Sequence, residues 1–145
     1  MTEHEKYFVV TTSGGYSNCL DRGGGSVRPN CVGLAWGYMA ETYGKKVFDK
    51  RPKCNAGQIY ANCKPNGTGF LCSQTLHTKA MIVWGAGTDA GHVAWIENMH
   101  DGVYMIRESN YSGTFANGKY ERIIYTKTPK TLYKDYKGCV YGVNF

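Results

Sequence analysis

The sequence predicts an α+β domain, with N-terminal helices packed on a C-terminal antiparallel sheet of about five to six strands. Two observations predict it. Residues 31–43 repeat their apolar side chains at helical spacing, whereas from Ala80 onward short apolar or alternating runs are separated by Gly- and Asp-containing turns. Nineteen glycines, with twelve tyrosines against five phenylalanines, describe a loop-rich chain rather than a helical bundle.

Taken in order, Tyr7–Thr12 reads as a short strand, and Ser13–Arg28 as a long loop with Gly14-Gly15 and Gly23-Gly24-Gly25 inside it. That loop lacks the GK[ST] ending of a phosphate-binding loop and is read as the wall of a substrate cleft. Pro29 and Asn30 then open a helix. Asn30 is a good N-cap, Leu34/Ala35, Tyr38/Met39 and Tyr43 form an apolar face, and Gly44 stops it before Lys45 and Lys46. A polar connection through Arg51-Pro52 leads to a second short helix near Ala56–Asn62 and a turn-rich stretch, Pro65–Gly69. Strands are expected at Ala80–Trp84, Gly91–Glu97, Val103–Glu108, Tyr120–Tyr125 and Cys139–Val143.

A chain of 145 residues suits one ordinary domain. No apolar run approaches a membrane span, and Met1–Lys6 does not read as a signal peptide, so synthesis in the cytosol without a leader is expected. Seventeen Lys and Arg against eleven Asp and Glu leave a net charge of +6, spread along the chain. That balance suits an anionic partner (nucleic acid, a membrane surface or a cell-wall polymer) or simply a well-solvated surface. Six cysteines, at 19, 31, 54, 63, 72 and 139, include no CxxC pair and no common zinc spacing. Mostly free, packed thiols are expected, with one disulfide left open.

Cys31 is the first residue of the capped helix, where the helix dipole places roughly half a unit of positive charge, the setting that makes a cysteine nucleophilic. A small buried hydrophobe is the other reading. His92, Ala94 and Ile96 share one face of their strand, and Glu108 and Asn110 share one face of the next. A five-residue loop, Asn98–Gly102, centred on His100 sets His92 opposite Glu108; centring on Asp101 sets it opposite Asn110. Both depend on an odd-length loop. Either register joins an imidazole to an orienting carboxylate or amide, which is what a cysteine nucleophile needs. The backbone amide of Cys31 is the natural oxyanion donor.

Asn30-Cys31-Val32-Gly33-Leu34-Ala35-Trp36, then Gly91-His92-Val93-Ala94, then Glu108-Ser109-Asn110-Tyr111 resemble, in order, the blocks of the CHAP family, the cysteine- and histidine-dependent amidohydrolases/peptidases. The resemblance implies a papain-like fold, a single catalytic domain over 1–145, and cleavage of amide bonds in bacterial peptidoglycan. It implies Cys31 as nucleophile, His92 as base, and Glu108 with Asn110 as orienting groups. It also implies a phage lysin, most simply an N-acetylmuramoyl-L-alanine amidase released to act at the wall. An endopeptidase of the same mechanism or a non-catalytic wall-binding module are the alternatives. Peptidoglycan and anionic wall polymers are the expected partners, without nucleic acid or membrane insertion. A separate domain or subunit would supply further wall binding. Some relatives hold calcium in the loop before the cysteine helix. Here Asp21 is its only carboxylate, so neither calcium nor another metal or cofactor is expected.

Overall fold

The computed structural model describes residues 19–21, 27–110, 115 and 119–145. The strand expected at Tyr7–Thr12 lies outside them. Within the stretch read as one long loop, β1 (Cys19–Asp21) and β2 (Val27–Pro29) pair as a small antiparallel ribbon. The ribbon leads through Asn30 into α1 (Cys31–Tyr43), so Pro29, the residue before the helix cap, is held by pairing with Cys19.

The local chemistry of α1 explains both its ends. The Asn30 side chain accepts from the Gly33 amide at 3.0 Å, and Gly44, at φ +104°, donates its amide to Ala40. Every residue from Val32 to Ala40 is buried, so this is a helix enclosed on all sides. A short α2 (Lys46–Lys50) occupies the stretch read as a polar connection. A 3-10 turn at Ala56–Gln58 runs into α3 (Ile59–Cys63), close to the second helix expected there.

The sheet has six antiparallel strands: β3 (Phe70–Ser73), β4 (Ala80–Trp84), β5 (His92–His100), β6 (Val103–Glu108), β7 (Arg122–Thr126) and β8 (Tyr136–Val143), in the spatial order β3-β8-β4-β5-β6-β7. Within this sheet, β3 is the strand that sequence reading missed. Its four residues follow directly on the Gly-rich turn and form an edge. β8 begins at Tyr136, three residues before Cys139, and crosses between β3 and β4.

All five residues of β4 are buried because both sheet faces are covered. On one face α1 contributes Leu34, Trp36 and Met39 to a core with Met81, Val83, Val93, Trp95 and Val140. On the other, Ile82, Trp84, Ala94, Ile96 and Ile106 are covered by Leu132, Tyr133 and Tyr136, which flank or follow a 3-10 turn at Pro129–Thr131. Cys54, Cys63 and Cys139 are buried and Cys31 and Cys72 half-buried; all five are free thiols.

The β5–β6 hairpin corrects the expected loop. The turn is only Asp101-Gly102, with φ +51° and +78°, and His100 pairs with Val103. Positive φ at both central residues is the type I′ geometry that Asp-Gly favours. An even turn alone would turn His92 to the wrong face. A bulge at Glu97 restores the phase: Asn98 pairs with Met105, but Ile96 pairs with Ile106. Continuing that register sets Ala94 opposite Glu108 and His92 opposite Asn110.

Candidate active site

Three of the four residues singled out in the sequence form one hydrogen-bonded line. Cys31, half-buried at the start of α1, is hydrogen-bonded to the His92 side chain. His92 Nε2 stands 3.0 Å from Glu108 Oε1. With Nε2 facing the carboxylate, Nδ1 is the nitrogen left for the thiol. Glu108 reaches His92 on the diagonal, one pair along from its direct neighbour, a distance that long side chains span. Asn110 lies half-buried two residues beyond, at the register position opposite His92.

The line is held from outside by groups the sequence did not flag. Glu108 is only 1 % exposed. The Tyr133 hydroxyl donates to its two oxygens at 2.8 and 3.0 Å, and Arg122 Nε donates to Oε2. The ring of His92 is stacked on Trp84 at 5.8 Å and tilted against Tyr133 at 4.6 Å. Trp84 is itself pinned by its indole N–H to the Lys130 carbonyl at 3.1 Å. Ser109, fully buried, donates to the Pro29 carbonyl at 2.9 Å and ties the end of β6 to the residue that precedes the helix cap. This strut joins the strand carrying the carboxylate to the turn carrying the cysteine. One signal for Arg122 was available: a cation opposite Glu108 on the next strand. Tyr133 sits in irregular chain with no periodicity to reveal it.

The charges follow from this packing. Burial disfavours an imidazolium at His92, but the bonds to Cys31 and Glu108 and their negative charge outweigh it and raise its pKa to about 9. Burial would also raise the Glu108 pKa, and the His92, Tyr133 and Arg122 contacts overcome it, holding the carboxyl below its usual range. Burial and the neighbouring carboxylate push the Tyr133 phenol up to about 12. A histidine pKa raised on folding stabilises the fold fully below its unfolded value near 6.5, and that contribution fades as pH climbs to about 9. The loss should be on the order of 2–3 kcal/mol. Urea midpoints measured from pH 6 to 9.5 should therefore fall in the wild type and much less in His92→Asn; parallel curves would contradict the ion pair.

A cysteine at a helix N-terminus, bonded to an imidazole that a carboxylate orients, is a unit for nucleophilic attack on a carbonyl. The loop on which the calcium expectation rests lies largely outside the described residues. A family model described as the CHAP domain matches residues 21–110. No curated protein matches the chain in sequence. Among solved structures, the crystal structure of Ly7917 is similar with a TM-score of 0.50 at 17% identity, covering 78% of this chain and 53% of that one. The structure of Ly7917 with the hydrolyzing product of MDP gives a TM-score of 0.49 at 18% identity, with 77% and 53% covered. The chain thus spans about half the length of that protein, and the likeness is one of fold. The family model covers more than half of the chain, including Cys31, His92, Glu108 and Asn110: the chain belongs to the CHAP domain family and has its papain-like α+β fold.

Proposed function

We propose that this protein is a peptidoglycan hydrolase that cleaves an amide bond of the bacterial cell wall, with Cys31 as nucleophile, His92 as general base and acid, and Glu108 as the group that orients His92. The observation carrying this reading is the continuous line from the helix N-terminal thiol through His92 to a buried, ionised carboxylate. Membership of the CHAP family supports the substrate class.

The steps balance as follows. With the shared proton resting on His92, the Cys31 sulfur adds to the scissile carbonyl carbon, forming a C–S bond and an oxyanion. The backbone amide of Cys31, at the start of α1, is the proposed donor to that oxyanion. His92 returns the proton to the departing amine as the C–N bond breaks, leaving a thioester. Water, deprotonated by His92, attacks the thioester; the thiol leaves and a carboxylic acid is released. Glu108 keeps the ring in one orientation and balances its charge at each protonated stage.

Within this class, the bond between the lactyl group of the sugar and L-alanine is the proposed target, which makes the protein an N-acetylmuramoyl-L-alanine amidase of a phage lysis system. Its proposed place of action is the bacterial cell wall. The +6 charge suits a wall rich in anionic polymers. Mass spectrometry of digested, purified peptidoglycan tests the bond. New L-alanine amino termini on released stem peptides are expected. New termini within the stem or cross-bridge would make the enzyme an endopeptidase with the same chemistry.

A further inference from the structure

Glu108 is held in a way that exceeds what burial of one side chain requires. Its two oxygens receive four contacts: His92 and Tyr133 on Oε1, Tyr133 and Arg122 on Oε2. Arg122 stands directly across from Glu108 in the β6–β7 register. Its guanidinium also reaches the Tyr133 hydroxyl at 3.4 Å and lies 5.0 Å from the centre of the Phe115 ring. Half of the Arg122 side chain is exposed, yet it has a carboxylate, a phenol and a ring to fix it. Tyr133 in turn touches both ends of the same pair, bonding the carboxylate and tilting its ring on His92.

We infer that Arg122 and Tyr133 are positioning residues for the proposed reaction: together they lock the Glu108 carboxylate as an anion with one oxygen turned to His92. The inference rests on the Cys31–His92 reading above and extends it from three residues to five. The result is a row of alternating charge behind the Cys31 sulfur: imidazolium, carboxylate, guanidinium. A carboxylate with only His92 as partner could rotate or take up a proton. Here rotation breaks bonds to three side chains, and the guanidinium opposes protonation. The groups facing Glu108 are His92 from β5, Arg122 from β7 and Tyr133 from the chain after the 3-10 turn. Cys31 follows behind His92. The adjacent Arg107 and Glu121 are engaged elsewhere, with each other at 3.3 Å and with Tyr38.

Two readouts test this on the full chain. The first is the Glu108 carboxyl titration, followed by 13C NMR. The second is the rate at which iodoacetamide alkylates Cys31 as a function of pH, assigned by peptide mass; the other described thiols are less suited to react, since burial raises the pKa of Cys54, Cys63, Cys72 and Cys139. In Arg122→Gln the Glu108 titration and the acid limb of alkylation should both move up by about one pH unit. Arg122→Lys, which keeps the charge without the fork, should recover part of that shift. Tyr133→Phe, which keeps the ring on His92, should move both in the same direction by less. A purely structural role would change unfolding temperature and leave both limbs in place. An unmoved Glu108 titration in the folded variants overturns the inference, and so does a moved titration with an unmoved alkylation limb. If wild-type Cys31 alkylates no faster than free cysteine, the thiol–imidazole reading fails, and the positioning role with it. The Glu108 titration would still show whether the carboxylate is clamped.

Discussion

Cys31→Ala abolishes the turbidity loss of Gram-positive cell walls while the protein stays folded. The thiol is half-buried, so the fold loses little on truncation, and the Asn30 cap on the Gly33 amide is untouched. The reaction, by contrast, loses its only bond-forming atom. The fall should reach several orders of magnitude, as removal of a nucleophile does in comparable triads. Cys31→Ser keeps the shape but replaces a thiol by a hydroxyl, which His92 deprotonates far less readily, and should be nearly as inactive. Circular dichroism and the urea midpoint check the fold. Lysis undiminished in Cys31→Ala would sink the proposed mechanism and favour a binding module.

The second large effect is expected one residue before His92. Gly91 has φ +68°, and a Cβ there would stand 2.3 Å from the Gly57 Cα, 2.4 Å from its nitrogen and 2.8 Å from the Trp84 carbonyl. These are backbone atoms, which cannot swing aside, and the Gly57 amide is bonded to the Ala90 carbonyl at 3.0 Å. Gly91→Ala therefore combines the cost of a left-handed alanine with a backbone overlap, about 3 kcal/mol in all. For a chain of this size that corresponds to a melting temperature lower by roughly 10 °C. Activity should fall further than stability, because the displaced segment leads straight into His92. A variant melting and lysing like the wild type would show that the Gly57 turn yields instead.

Much of this arrangement is legible in the sequence, and the gaps have physical causes. The cysteine helix is marked twice, by Asn30 at its start and Gly44 at its end, and both cap it as expected. The strands carrying His92 and Glu108 follow from alternation and apolar runs. β3 was missed because Phe70–Ser73 is too short to show a period beside Pro65, Gly67 and Gly69 before it. The ribbon β1–β2 was missed because three-residue strands leave no pattern at all. The hairpin is the instructive case. Asp101-Gly102 is the dipeptide that favours a two-residue turn, and taken alone it argues against His92 meeting Glu108. Glu97 answers that objection by leaving the ladder, with its carboxylate bonded to Lys79 and the Trp95 indole, each at 2.9 Å. Of these partners, Lys79 lies 18 residues away, just before β4, where local reading does not reach. The buried support of Glu108 was hidden for the same reason, since Arg122 and Tyr133 lie 14 and 25 residues away.

The bulge at Glu97 also divides the hairpin into two parts with different freedom to vary. Distal to it, toward Asp101-Gly102, residues can be added or removed in matched pairs, one from each strand, and the proximal register is unaffected. Any change that closes the bulge, by deleting Glu97 or inserting a residue opposite it, advances one strand by a single step. His92 and Glu108 would then project from opposite sides of the sheet, with every other contact of the hairpin still drawn from the same residues. The chain thus has a frame of reading in space as well as in sequence, and Glu97 sets its phase.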